Sequence, residues 1–348
     1  MQTASSPALD NASNPIQSIM STENNMQYVW LGKSGLKVSR IILGCASYGS
    51  KSEQSWILEE EEATEHIKLA YDLGITTFDT GNAYSNGESE RILGKAIKKH
   101  NLPRDEIVVM TKAWGAVSRE PGPIWAAPEE TRDRLRYTNQ YGLSRKHLFA
   151  AIRDSLQRLQ LDYVDVLQCH RFDYNTPIEE TMHALHDIVK AGYARYIGMS
   201  SCYAWQLHKM QNYARQHGLT EFISMQNLYN PIYREEEREM IPLLKDLGVG
   251  MITWSPNAGG ALARPLTAQT KRSEGDTYAK FEPVVPFMPA INMKIEEIAK
   301  NRGISMAQVV LAWAFAKGFV TAPIVGTTSL DKLRDSAGAI HVKLTEEE

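Results

Sequence analysis

The chain has 348 residues, a formal net charge of −3, 43% apolar residues and 23% charged ones. That balance leaves ample material for a core, gives no electrostatic draw toward nucleic acid or an anionic membrane, and includes no apolar run near the ~18 residues of a membrane span. Three cysteines, Cys45, Cys169 and Cys202, stand far apart with no CxxC pair, which argues against a disulfide framework or a zinc site and fits a reducing cytoplasm.

Residues 1–25 are rich in Ser, Asn, Pro and Ala and lack Lys and Arg. They match neither a secretory signal nor a transit peptide and read as a disordered tail. Residues 26–348 read as one catalytic unit. It opens with QYVWLGKSGLKVSR, a β-hairpin pattern with GKSG at the turn. Eight apolar, strand-like runs follow. They are RIILGC (40–45), GITTFDT (74–80), EIVVMTK (106–112), DYVDVLQCH (162–170), ARYIGMSS (194–201), EFISMQN (221–227), GVGMITWS (248–255) and APIVGTT (322–328).

Helical patterns with apolar residues three and four apart lie between them: EEEEATEHIKLAYDLG, SERILGKAIKKHN, SRKHLFAAIRDSLQRLQ, IEETMHALHDIVKAG, AWQLHKMQNYARQHG, EEEREMIPLLKDLG, SMAQVVLAWAFAKG and SLDKLRDSAGAI. Glycines at 74, 192, 218, 248 and 318 are placed to end helices. Buried strands alternating with amphipathic helices predict a parallel sheet with helices outside. Eight such units predict an α/β fold, a (β/α)8 TIM barrel whose N-terminal hairpin closes the bottom. An open dinucleotide-binding sheet would carry GxGxxG after its first strand, where this chain has GCASYG. Residues 114–143 and 257–290 exceed ordinary loop length, and in a barrel both fall on the catalytic face.

Polar residues at the C-terminal ends of barrel strands are the candidates for chemistry. Here they are Asp79 and nearby Tyr84 after the second strand, Lys112 at the end of the third and His170 at the end of the fourth. Alone, each has a plain structural explanation: a turn cap, a packed ring, a solvated terminus, a hydrogen bonder. At one end of three neighbouring strands they make a chemical set. A phenol titrates near pH 10, and a buried ammonium beside it favours the phenolate and lowers that value. Asp79 can keep the ammonium charged, and His170 can orient a substrate oxygen. The set handles a proton at a carbonyl or alcohol oxygen, with no metal ligands and no activated nucleophile, so a redox cofactor must move the electrons.

The stretches FDTGNAYSNGESERILG, VVMTKAW, VDVLQCHRFD, IGMSS, MQNLYN and PIVGTT, in this order, resemble the aldo-keto reductase family over residues 26–348, and within it fungal aryl-alcohol dehydrogenases and versiconal hemiacetal acetate reductases. The resemblance implies that Asp79, Tyr84, Lys112 and His170 form the catalytic tetrad, with Tyr84 as general acid. It implies NADP(H), less readily NAD(H), bound across the barrel mouth. Gly44 and Cys45 would border the cofactor, Ser200, Ser201 and Gln226 would hold the carboxamide, and Trp254 would stack on the nicotinamide. Ser255 with the Gly259–Gly260 pair would admit the pyrophosphate. Gly326, Thr327, Thr328, Lys332 and Asp335 would meet the adenosine end, with Lys332 reaching a 2′-phosphate.

Ser47, Tyr48, Trp114, Trp125, Tyr141 and Arg171 are expected around the substrate, joined by Tyr137 and Phe172. Their aromatic character suits a planar or aryl carbonyl. The partner implied is a small-molecule carbonyl compound. A competing implication is a cofactor-holding regulatory subunit with little turnover, against which the complete tetrad argues.

Overall fold

The computed structural model describes residues 25–120, 122, 124–276 and 286–348. The tail expected over residues 1–25 lies outside the described residues except for Asn25, and so does part of the 257–290 stretch. Two short antiparallel strands, β1 (Tyr28–Trp30) and β2 (Lys37–Ser39), form the hairpin. Eight more strands are β3 (Ile42–Gly44), β4 (Thr77–Asp79), β5 (Val108–Ala113), β6 (Val164–Cys169), β7 (Ala194–Ser200), β8 (Phe222–Leu228), β9 (Gly250–Trp254) and β10 (Val320–Val325). All pair in parallel, and β10 closes on β3, so the expected eight-stranded barrel is what the chain forms.

The hairpin packs where the barrel strands begin. The backbone N–H of Lys33 donates to the Gly248 carbonyl at 2.8 Å, just ahead of β9, and Ser39 exchanges hydrogen bonds with Thr77 at the start of β4. Leu31 and Val38 complete an apolar plug with the inward residues Ile42, Val108, Met110, Val166, Ile252, Ala322 and Ile324. The opposite set of strand residues, among them Leu43, Phe78, Val109, Leu167, Met199 and Met225, packs under the helices. Period-two alternation thus fixes which residues look into the barrel.

Helices α1 (Glu60–Asp72), α2 (Glu88–Lys99), α4 (Arg145–Leu159), α5 (Ile178–Lys190), α6 (Ala204–Gln216), α7 (Met240–Leu247), α10 (Met306–Ala316) and α11 (Leu330–Gly338) answer the eight predicted patterns; α3 (Glu129–Arg134), α8 (Lys271–Gly275) and α9 (Met288–Arg302) were not expected. The helix-ending glycines all have φ between +64° and +81°. Helix α7 starts later than its pattern because Pro242 lacks the N–H an earlier start would need, leaving Glu235–Glu237 as a 3₁₀ turn. The 15-residue α9 escapes periodicity because a polar side chain, Asn292, sits on its buried face. There its amide bonds the carbonyls of Ala261 at 2.7 Å and Arg264 at 2.9 Å. The last strand ends at Val325, so Gly326, Thr327 and Thr328 belong to the turn that follows it. Among the described residues no helix is long and apolar enough to cross a membrane, and no cluster of His, Cys, Asp or Glu could hold a metal ion.

Candidate active site

Alternation along the strands turns Asp79, Lys112, Ser200, Gln226 and Trp254 inward at the ends where β4, β5, β7, β8 and β9 finish. Lys112 is fully buried, and all three of its ammonium hydrogens have partners. They go to Asp79 Oδ2 at 2.5 Å, the Thr80 carbonyl at 2.9 Å and the Tyr84 hydroxyl at 3.1 Å. Burial alone would push the lysine toward the neutral amine. The carboxylate of Asp79 and the hydroxyl of Tyr84 outweigh it, and the pKa of Lys112 stands above its ordinary value.

The segment from Thr80 to Gly87 places Tyr84. Its backbone is stitched to β5 by Thr80 N–H to the Met110 carbonyl (2.9 Å) and Asn82 N–H to the Lys112 carbonyl (3.1 Å). Ser85, Asn86 and Gly87 then take φ of 45°, 51° and 83°, three left-handed residues in a row. Asn86 offsets that strain by bonding three neighbours: its amide donates to Glu53 at 2.6 Å and the Gly122 carbonyl at 2.9 Å, and its oxygen accepts from Ser118 N–H at 3.1 Å. From outside the barrel, buried Glu90 on α2 accepts from Arg158 of α4 at 2.6 Å and from Thr111 at 2.5 Å, bracing β5 next to Lys112.

His170 follows β6 with its ring edge-on to Tyr84, centroids 5.6 Å apart. Burial, helped by the charges of Lys112 and Arg171, drops its pKa well below the ordinary imidazole range. A neutral imidazole at physiological pH follows, able to donate from one nitrogen. The four residues therefore form one continuous array of acid, ammonium, phenol and imidazole.

A sequence model described as the Aldo/keto reductase family matches residues 40–348. The chain belongs to the aldo/keto reductase family. It is 46% identical over 331 residues to the versiconal hemiacetal acetate reductase of Aspergillus parasiticus, covering 93% of this chain and 95% of that protein. It is 45% identical over 337 residues to a putative aryl-alcohol dehydrogenase of Schizosaccharomyces pombe, with 94% and 95% covered. A putative aryl-alcohol dehydrogenase of Saccharomyces cerevisiae is 40% identical over 327 residues, with 93% and 95% covered. This aldo/keto reductase is an enzyme, an oxidoreductase of carbonyl compounds in a family that uses a nicotinamide cofactor.

The cofactor candidates of this reductase lie in four places. Beside the tetrad, the Ser200 hydroxyl donates to the Gln226 carbonyl at 2.9 Å, and the Trp254 indole N–H donates to Ser201 Oγ at 3.2 Å, fixing a half-buried ring. On the β9 side, Ser255, Ala258, Gly259 and Gly260 all have positive φ. There the Gly259 N–H goes to Ser255 Oγ at 2.8 Å and the Gly260 N–H to the Asn257 carbonyl at 2.8 Å, so both amides are spent inside the turn. After β10, Gly326 and Thr328 are exposed, and Thr327 Oγ1 accepts from the Ser329 N–H. Lys332 is exposed and Asp335 accepts from Ser305 Oγ at 2.5 Å, holding α11 to the start of α10. Gly44 and Cys45 are buried at the end of β3.

Among the substrate candidates, Trp114 packs against the barrel core with its indole N–H buried and without a hydrogen-bond partner among the described residues. A Cβ on Gly115 would lie 3.1 Å from both Ala83 and Trp125, which brings the 114–143 loop against the turn that carries Tyr84. Tyr141 stacks under the Arg132 guanidinium at 3.9 Å and bonds Glu129, and the Tyr137 hydroxyl accepts from Arg119 N–H at 2.7 Å; both pin the loop to itself. Arg171 is exposed beside His170, whose carbonyl it bonds at 2.8 Å. Ser47 is buried near Gly326. Tyr48 is not brought to the mouth: fully buried, it packs edge-on to His66 of α1 in the outer core, because the backbone after β3 turns its ring under the helices.

Sequence reasoning passed over Gln168, two residues before His170. It is fully buried and bonded to Asp79. Its signal was available, since a polar residue at an inward position one step below the mouth breaks the apolar pattern set by Val166.

Proposed function

We propose that this enzyme reduces an aldehyde or ketone to the alcohol with NADP(H), Tyr84 acting as the general acid. One observation carries the reading: the Lys112 ammonium bonds the Asp79 carboxylate and the Tyr84 phenol together in a buried pocket. When bound, the reduced nicotinamide supplies the hydride that the carbonyl carbon accepts. The Tyr84 hydroxyl gives its proton to the carbonyl oxygen as negative charge gathers there. Lys112 stabilises the phenolate that remains, and Asp79 keeps the ammonium paired in a place where an isolated charge would be costly. His170, held neutral, donates to the same oxygen and sets its direction.

The chain's own atoms fit such a cofactor. Both hydrogens of the Gln226 amide are engaged, with Asp79 and Gln168, so its oxygen alone remains to accept from a carboxamide. Trp254, tethered through Ser201, offers a ring face for a flat heterocycle. At Gly326 a Cβ would come within 3.2 Å of Ser47 Oγ and 3.4 Å of the Gly44 carbonyl, so a side chain there would crowd its neighbours, and the bare backbone after β10 lets a ligand lie close. Lys332 forms no ion pair among the described residues and is available to a 2′-phosphate, which favours NADP(H) over NAD(H).

An aromatic or polyketide-like carbonyl is the substrate class we favour, on Trp114 and Trp125 beside the turn that carries Tyr84 and on the aryl-alcohol names of relatives. The test is Tyr84→Phe assayed with aryl aldehydes and NADPH. Turnover should fall by at least ~100-fold while cofactor affinity, read from tryptophan quenching, stays within about twofold of the parent. Full turnover in this variant would remove the acid from Tyr84.

A further inference from the structure

Parallel barrels fill their interior with layers of side chains drawn from alternate strands, mostly bulky and apolar. The lower interior here obeys that rule with Ile42, Met110, Val166, Ile252 and Ile324. One step higher, β4, β6 and β8 instead contribute Asp79, Gln168 and Gln226, all buried. Strands β4 and β8 stand four apart in the ring of eight, on opposite sides of the barrel. Their side chains meet in the centre around Gln168.

Asp79 Oδ1 accepts from Gln168 Nε2 and from Gln226 Nε2, both at 2.9 Å, and Gln226 Nε2 also donates to Gln168 Oε1 at 2.9 Å. A carboxylate offers only lone pairs, so both amides must turn their nitrogens toward it. That choice in turn aims the Gln168 oxygen at Gln226. The backbone beside Gln168 leaves it room: Gly198 is its register partner on β7, and a Cβ there would stand 3.2 Å from Gln168 Cγ and 2.5 Å from Ser224 Oγ.

We propose that Gln168 is a positioning residue for the reduction. It holds Asp79 Oδ1 so that Oδ2 stays on Lys112, and it fixes Gln226 with its oxygen toward the mouth. The proton-transfer array and the candidate carboxamide contact thereby become one rigid unit. Gln168 itself touches neither the reacting atoms nor a ligand. This rests on the reading of Tyr84 and Lys112 given above. Without Gln168, Asp79 Oδ1 keeps only one of its two amide donors and Gln226 keeps only one of its two acceptors, so both are held less firmly.

Two variants test it, Gln168→Leu and Gln168→Glu, with kcat and KM for an aryl aldehyde measured with NADPH from about pH 5 to 9. A protonated glutamic acid donates through its O–H to Asp79 Oδ1 and accepts from Gln226 through its carbonyl, which restores both contacts. An ionised glutamate still accepts from Gln226 but cannot donate to Asp79, which it repels. The ratio of kcat in Gln168→Glu to kcat in the parent should therefore rise at least ~10-fold on acidification, while Gln168→Leu stays low at every pH and the aldehyde KM moves little. A Gln168→Glu ratio independent of pH overturns the proposal, and so does a Gln168→Leu enzyme with the parent's kcat. Should Gln168→Leu fail to fold, the pH dependence of the Gln168→Glu ratio decides alone. A flat ratio in an enzyme whose Tyr84→Phe variant is dead counts against Gln168 only; an active Tyr84→Phe counts against the acid.

Discussion

The mouth of the barrel has two unlike sides. On β4, β5 and β6 the side chains of Asp79, Lys112 and Gln168 are buried, and each bonds another polar side chain; Lys112 alone makes three hydrogen bonds, to the Asp79 and Tyr84 side chains and the Thr80 carbonyl. On β9 and β10 the inward work passes to loops. Four residues between 255 and 260 take left-handed backbone, the N–H groups of Ala258, Gly259 and Gly260 bond acceptors within that turn, and Gly326, Thr328 and Lys332 stand exposed. Under the proposed mechanism the two sides have different tasks. Proton transfer needs its atoms in place before the substrate arrives, because reorganisation during the step raises the barrier. A long anionic cofactor can be met by backbone and by mobile cations, with its own binding energy ordering them.

Substituting on the rigid side tests this most severely. Lys112→Met removes the ammonium and leaves the Asp79 carboxylate buried without its counter-charge. Breaking one partner of such a pair costs on the order of 3–5 kcal/mol, and turnover should fall by ~1000-fold or more as the phenolate loses its support. Urea unfolding beside steady-state kinetics would read both. A Lys112→Met enzyme as stable as the parent would mean that Asp79 finds relief elsewhere, and the rigid side would be less rigid than its contacts imply.

Acid should also find the rigid side first. Burial lowers His147, at the start of α4, to about 4, partly opposed by the charge of Asp173. A histidine with its folded pKa below the unfolded value contributes stability that is complete above about pH 6.5 and is lost as pH falls toward 4. The gap corresponds to roughly 2–3 kcal/mol between pH 7 and pH 4.5. The stability difference between the parent and His147→Gln, from urea titrations at those two pH values, should change by that much. An unchanged difference would show that the imidazole titrates normally and that acid sensitivity belongs elsewhere.

The same contrast explains what the sequence revealed. The barrel was legible because eight strands alternate with helices whose faces repeat every three or four residues, and because Asp79, Lys112 and His170 end three consecutive strands. Gln168 lay in plain view within VDVLQCH, yet a glutamine in an apolar run reads as noise until the strand's inward face is known. Tyr48 misled for the opposite reason: a tyrosine four residues past a strand end has the right position for a pocket, and only the path of the backbone sends its ring under α1. Helix α9 was hidden by Asn292, a buried polar residue whose partners, the carbonyls of Ala261 and Arg264, come from a distant loop. Local pattern reports periodicity and strand ends well; it is silent wherever a residue's role depends on what another segment brings to it.

The loop side should yield the mildest effect, and one confined to binding. Lys332 sits in the first turn of α11, exposed, behind Ser329, whose hydroxyl caps the helix by accepting from the Lys332 N–H at 3.4 Å. Backbone amides at that helix start already favour an anion, so the lysine adds one charge to a site that does not rely on it for shape. Lys332→Ala should raise the KM for NADPH by ~10-fold, leave the KM for NADH within about twofold, and keep kcat with either cofactor near the parent value. The NADPH effect should also shrink as salt is added, since an exposed pair is screened. Equal shifts for the two cofactors would take Lys332 away from the 2′-phosphate. A fall in kcat would erase the division itself, because a residue on the loop side would then be reaching into the proton-transfer array.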